Sequence, residues 1–328
     1  MKLAIRSALA LGLLLLAALI ARQGAASIVT PLLGAGAILL WIVPLHGLPI
    51  LLDVLGWREL LPAGTRLTTL LWIAVVREAF NRLLPVANIG GEIVGVRLLA
   101  QSGTPTATAA ASIVVELLLT LATQYLFVTV GVVCLVAAAG RTQLGSDLIL
   151  ALVISLPMIL FLMVLVRYGS IFQRLARLGE CLLGARFRAV AGDNPAAVES
   201  AIRRLYGSPR RLSAAAGWQF SGLIAGTAET WLVLRWFGHP VPIGGALALE
   251  SLSQAARHFI FLVPAGIGVQ EASLVAIAHV LGVGNDLAIA LSLAKRMREI
   301  LFGSPALLLW YWKQGRGHWP TLRNRGEA

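Results

Sequence analysis

Charged side chains stand inside the most apolar stretches of this sequence, and their types suggest two kinds of chemistry. The first half holds Arg77, Glu78, Arg82, Glu92, Arg97 and Glu116; the second holds Glu229, Glu250, Arg257, His258, Glu271, Lys295, Arg296, Arg298 and Glu299. A charge at the centre of a membrane helix costs about 2.5–3.5 kcal/mol on insertion scales, so each needs a partner, a wet cavity or a ligand. Carboxylates withdrawn from water favour their neutral form, which makes Glu92 and Glu271 candidate proton carriers. Guanidinium and ammonium groups suit anionic headgroups. Glu78 and Arg82, like Lys295 and Glu299, lie four residues apart on one helical face and are expected to neutralise one another. Glu250, Gln254, Arg257 and His258 form a polar stripe along an otherwise apolar helix, and Arg77, Asn81 and Asn88 form a comparable one. Both stripes are expected to face the bundle interior and line a wet path or headgroup pocket; interhelical hydrogen bonding is the plainer alternative.

The elements that must position these residues repeat. Phe80-Asn-Arg-Leu83-Leu-Pro85-Val-Ala-Asn88-Ile-Gly90-Gly91-Glu92 is answered 179 residues later by Phe259-Ile-Phe-Leu262-Val-Pro264-Ala-Gly266-Ile-Gly268-Val-Gln270-Glu271. Phe, Leu, Pro and Glu fall in register, with two glycines between proline and glutamate in each copy. Proline cannot continue the helical hydrogen-bond ladder. A break inside a bilayer is tolerated only where protein or a water-filled cavity satisfies the freed backbone groups. Paired broken helices in two halves of a chain point to a transporter's binding site. The repeat extends to Ala111-Ser112-Ile113-Val114-Val115-Glu116 and Leu291-Ser292-Leu293-Ala294-Lys295-Arg296, so an acid in one half corresponds to a base in the other. Glu116 is expected to stand opposite Arg296, or Arg296 to present a cation to a lipid phosphate.

Composition sets the environment. Of 328 residues, 58% are hydrophobic and 13% charged, against about 25% charged in soluble domains. The fold class expected is an all-α polytopic membrane protein with about eight transmembrane helices and two broken or re-entrant segments in an inverted repeat. Spans are expected at 3–22, 28–52, 67–84, 107–138, 147–167, 212–236, 243–263 and 286–312, with broken segments at 85–100 and 264–282. Residues 1–328 read as one membrane domain, with repeat halves at about 67–138 and 243–312. The first span resembles a signal peptide but is expected to be retained. The loop 168–211 carries Arg174, Arg177, Arg186, Arg188, Arg203, Arg204, Arg210 and Arg211 and is expected on the cytoplasmic side. It holds a candidate amphipathic helix at Ile171–Leu182, lying on the inner leaflet or packed on the protein as a solvated linker, and another helix at Ala196–Tyr206. With the loop, N-terminus and tail on one side, and each broken segment with its flanks carrying the chain back across the membrane, 67–84 and 243–263 run in opposite directions, which predicts the inversion independently of the motif. A re-entrant hairpin at either break would reverse one of these orientations.

Net charge of +12 in loops and tails fits anionic lipid contact, and no basic-aromatic motif suggests nucleic acid. The sequence lacks HExxH, GxSxG and any phosphate-loop motif, and its cysteines and histidines are not spaced as metal ligands. No catalytic residue, metal or cofactor is expected. Most tryptophans lie near span ends, as an interfacial belt would place them.

At these same residues the chain resembles the hopanoid-associated membrane proteins of the HpnL type. Those lie within a larger group that includes the transmembrane, flippase-like region of lysylphosphatidylglycerol synthases. The resemblance rests on Leu84 to Glu92, Val263 to Glu271, Gly238-His239-Pro240-Val241 and Ser292 to Glu299. The wider group often shows Pro-Gly-Gly where this chain has Pro264-Ala265-Gly266, while Gly266, Gly268 and Glu271 stay in place. The resemblance implies movement or distribution of lipids between leaflets or membranes, with hopanoids as cargo, in a bacterial inner membrane. It does not imply aminoacyl transfer, since about sixteen residues follow Trp312 where the synthases carry a soluble catalytic domain.

The function expected is therefore lipid transport, with hopanoid or anionic phospholipid as partner and no nucleic acid. Lining residues are expected to be Arg77, Asn81, Pro85, Asn88, Gly90, Gly91, Glu92 and Glu116 from the first half. From the second they are Glu250, Gln254, Arg257, His258, Pro264, Gly266, Gly268, Gln270, Glu271, Lys295, Arg296 and Arg298. Two alternatives stand beside this reading: a scaffold docking lipid-biosynthetic enzymes through the arginine-rich loop, and an intramembrane lipid-modifying enzyme using two carboxylates as acid and base.

Overall fold

Long apolar runs divided by proline and glycine produce a chain of helices. The computed structural model describes residues 25–84, 90–140, 142–168, 195–259 and 268–315. Helix α1 (Ala25–Ala35), a 3-10 segment (Gly36–Trp41), α2 (Ile42–Leu45) and α3 (Gly47–Glu59) follow almost without interruption. Gly36, at a φ of 54°, ends α1, while Pro44 and Pro49 remove backbone donors near the later joints; Pro31 is accommodated within α1. Then come α4 (Leu67–Leu83), α5 (Gly90–Gln101), α6 (Thr106–Ala139), α7 (Gln143–Tyr168), α8 (Pro195–Tyr206), α9 (Pro209–Trp236), α10 (Ile243–Phe259), α11 (Val269–Val280) and α12 (Asn285–Gly315). Expected segments at 3–22 and 171–182 lie outside the described residues, as do both prolines of the repeated motif.

Two three-helix units share one skeleton. Helices α4, α5 and α6 have 17, 12 and 34 residues; α10, α11 and α12 have 17, 12 and 31. Within the first unit, α5 folds back on α4. Gly91 lies against the Arg77 carbonyl and the Asn81 side chain, and Gly95 against the Arg77 side chain. A Cβ at Gly91 would run into that backbone carbonyl, so glycine is what permits the approach. Twelve residues rise only about 18 Å, short of the ~30 Å hydrocarbon slab. The short helices α5 and α11 are too short to cross the membrane alone.

The units run in opposite senses. Gly56 of α3 packs on Ala215 and Gln219 of α9, whereas Pro49 and Asp53 pack on Gly222, an antiparallel register. Short connections turn α3 into α4 and α9 into α10, so α4 and α10 are opposed as well. Packing between the units is reciprocal: α10 lies along α6, and α4 lies along α12. Gly131 and Cys134 of α6 meet Ser251 and Gly244 of α10, while Gly303 of α12 meets Ala79 and Leu83 of α4. Each unit's first helix therefore rests on the other's third.

Polarity is distributed inside out. Leu150, Val153, Ile154, Met158 and Phe161 are exposed along α7, as are Leu308, Tyr311 and Trp312 on α12. Arg77, Glu116, Glu229, Glu250, Glu271, Lys295, Arg298 and Glu299 are buried. Water would favour the reverse arrangement, and lipid favours this one. Val29–Glu59, Thr106–Ala138 and Gln143–Phe161 are long and apolar enough to cross a membrane by length and composition. The amphipathic α8 buries Val198, Ala201 and Ile202 against α6 and leaves Arg203 and Arg204 exposed.

Candidate functional site

Arg77 organises the first unit. Its guanidinium donates to Glu92 of α5 and, at 2.8 Å, to Glu116 of α6, and it lies 4.9 Å over the Trp57 ring. Trp57 is fully buried in the core and donates to Ser112 at 3.2 Å, so this tryptophan supports Arg77 and does not belong to an interfacial belt. Asn81 donates to Glu92 at 3.1 Å and accepts from the Gly91 amide at 2.9 Å. One arginine and one asparagine on α4 thus fix the whole start of α5. Glu116 begins a polar row on α6, at Glu116, Thr120 and Gln124, and Gln219 of α9 donates to Thr120 at 3.2 Å.

The second unit uses the corresponding positions differently. Glu271, the counterpart of Glu92, is fully buried; it accepts from its own Gly268 amide at 2.7 Å, from Ser292 at 2.9 Å and from Arg296 at 3.3 Å. It is the third residue of α11 and satisfies one of the free amides at that helix start, which Gly268 reaches at a φ of 82°. Lys295, next to Arg296, the counterpart of Glu116, pairs with Glu250, which also accepts from Thr230 and, at 2.7 Å, from Gln254. The local pair expected between Lys295 and Glu299 does not form, because Glu250 on α10 takes the lysine. The expected pairing of Glu116 with Arg296 is likewise replaced, by Arg77 for the acid and Glu271 for the base.

Glu299 lies where the ends of α4 and α10 meet. It sits 2.9 Å from Arg257, 3.4 Å from Arg296, 3.8 Å from Arg82 and 3.9 Å from Arg298. Arg298 is also held by Glu229 at 2.5 Å, and Arg257 donates to Gln270 at 2.6 Å. Glu78 is only 3.7 Å from Arg82 and instead bonds His46 at 2.8 Å, so that expected pair is loose.

These groups surround a cavity of about 480 Å³. From the first unit, Arg77, Asn81, Glu92 and Glu116 line it; from the second, Glu250, Gln254, Arg257, His258, Gln270, Lys295 and Arg298. Gly90, Gly91, Gly268, Glu271 and Arg296 are not in its wall. Pro85, Asn88, Pro264 and Gly266 lie outside the described residues. The wall also contains His46, Asp53, Glu78, Arg82, Thr120, Gln124 and Ser253, which sequence reasoning did not place there. Two spacings carried a signal: Glu116, Thr120 and Gln124 recur every four residues, and His46 and Asp53 are seven apart on one face of the α2–α3 run.

Chemically, the arrangement is a polar chamber built from both units inside an apolar molecule. Its close ion pairs are intramolecular, and its volume lies in the ordinary range of ligand sites, about 300–1,000 Å³. A family model described as the lysylphosphatidylglycerol synthase TM region matches residues 3–306, and the chain belongs to that family. It is a multi-pass α-helical membrane protein. No curated protein and no solved structure matches it.

Proposed function

We propose that this member of the lysylphosphatidylglycerol synthase transmembrane-region family moves lipids between leaflets, seating the polar head in the chamber while the tails remain in the bilayer. The observation that carries this reading is the chamber itself: charged and polar side chains from two opposed units surround about 480 Å³ within a chain whose outer faces are apolar. A headgroup fits such a volume, and a whole two-chain lipid does not. Hopanoid or related lipids are the cargo suggested by the resemblance to the hopanoid-associated branch, with the bacterial inner membrane as the site of action. Anionic phospholipid is the other cargo the basic residues suit.

The movement proposed is rocking of one unit against the other. In support, every ion pair under 3.5 Å among the described residues lies within one half of the chain. The two that join the halves, His46 with Glu229 at 3.7 Å and Arg82 with Glu299 at 3.8 Å, are longer. Loose charge pairs across a packed apolar interface can break and re-form without stranding a buried charge.

The test is reconstitution of the purified protein in vesicles containing a labelled lipid, followed by chemical quenching of the outer leaflet. The protein is expected to accelerate the loss of protected label, and Glu92→Gln to slow it while the variant still elutes as a folded, monodisperse particle. Rates equal to those of empty vesicles across neutral and anionic reporter lipids would overturn the proposal.

A further inference from the structure

Most basic groups in the chamber wall are already engaged. Arg77, Lys295 and Arg298 each donate to a carboxylate at 2.8 Å or less. Arg82 is different. Its nearest carboxylate oxygens are 3.7 and 3.8 Å away, beyond hydrogen-bond reach, and its side chain is 30% exposed. Among the described residues it donates no hydrogen bond. Arg257, its strongest electrostatic neighbour, uses only Nη1 among the described residues, for Gln270 and Glu299. His258, exposed on the same wall, has Arg82 and Arg257 as the charged groups that bear on it and makes no hydrogen bond among the described residues.

Position adds to this. Arg82 is in the last turn of α4, and Arg257 and His258 are in the last turn of α10, so both units deliver donors to one place beside their breaks. Asp53, Glu92 and Glu116 also line the chamber and would repel an anion beside them, and Glu78 stands 3.7 Å from Arg82. Four guanidiniums share Glu299, an arrangement that a further anion would complement.

We infer that Arg82, Arg257 and His258 form a binding site for a phosphate group, presented by a lipid headgroup or as free inorganic phosphate. Planar guanidinium forks match phosphate oxygens in paired, charge-assisted hydrogen bonds. Arg82 supplies the free fork, Arg257 its remaining N–H groups and His258 a ring N–H. The site deepens the transport reading, on which the lipid source rests, by selecting phosphate-bearing headgroups over uncharged lipids.

The experiment titrates the full-length protein in neutral detergent with short-chain phosphatidylglycerol, with diacylglycerol of the same chain length and with inorganic phosphate, reading heat by calorimetry. Saturable binding of phosphatidylglycerol, with diacylglycerol at least about ten-fold weaker, is the expected result. Inorganic phosphate binding as tightly as the lipid would identify free phosphate as the source; much weaker competition would identify the headgroup. Arg82→Gln is expected to weaken phosphatidylglycerol about ten-fold or more, and Arg82→Lys to recover part of the loss. His258→Gln serves as the second variant should Arg82→Gln fail to fold, with a smaller loss in the same direction. Equal affinity for phosphatidylglycerol and diacylglycerol, or unchanged affinity in the folded variants, would overturn the site. Vesicle translocation measured on the same preparations separates the two ideas. Selective binding without translocation defeats only the transport reading, and translocation blind to headgroup charge with no selective binding defeats only this site.

Discussion

Glu92 and Glu271 occupy equivalent positions in two units of the same skeleton, yet they have different surroundings and different work. Glu92 faces the chamber and is held from outside its helix, by Arg77 and Asn81 of α4. Glu271 turns away, caps its own helix and is sealed by Ser292 and Arg296 of α12. The residue before each explains much of the contrast. Gly91 lets α5 close on α4, whereas Gln270 stands in the matching place and reaches Arg257 across the chamber wall. A repeat thus preserves helix lengths and breaks while leaving each copy's side chains free to specialise.

The comparison can be broken most forcefully at Glu271. Glu271→Ala strands the buried Gly268 amide and weakens the hold on Arg296, and it is expected to cost about 3–5 kcal/mol, read by SDS-titrated unfolding in mixed micelles. A milder change makes one unit imitate the other. Gly91→Gln places a side chain against the Arg77 carbonyl and should cost about 1–3 kcal/mol in the same titration, with α5 displaced from α4. Glu92→Gln should cost only about 1–2 kcal/mol, because Arg77 keeps Glu116, yet it should lower vesicle translocation per folded molecule. If Glu271→Gln lowered translocation per folded molecule as much as Glu92→Gln, the two glutamates would share one role and the contrast would be gone. At the small end, Arg203→Ala removes an exposed pair with Glu199 on α8 and should change stability by no more than about 0.5 kcal/mol.

Much of the skeleton was legible in the sequence. The register of Phe, Leu, Pro and Glu announced two breaks, and the helices after them begin at Gly90 and Val269, 179 residues apart. The stripe at Glu250, Gln254, Arg257 and His258 faces the chamber as its spacing required. Pairing was less legible. Four-residue spacing made Lys295 and Glu299 look like partners, but helix packing brought Glu250 closer to the lysine, and no local pattern encodes which helix lies alongside. His46 and Asp53 escaped notice because each is an isolated polar residue in an apolar run. Their relevance depends on α3 crossing α9 at Gly222, where a Cβ would meet the Asp53 carboxylate.

The confinement of tight ion pairs to one half or the other bears on how the chain enters its membrane. A ribosome delivers residues 77–116 long before 229–299, and Arg77, Glu92 and Glu116 already satisfy one another within that early stretch. The later stretch is equally self-sufficient, through Glu229 with Arg298 and Glu250 with Lys295. These pairs can form within each portion without waiting for the other to be synthesised. The insertion machinery can therefore release them in sequence, and apolar docking of α10 on α6 and α4 on α12 completes assembly afterwards.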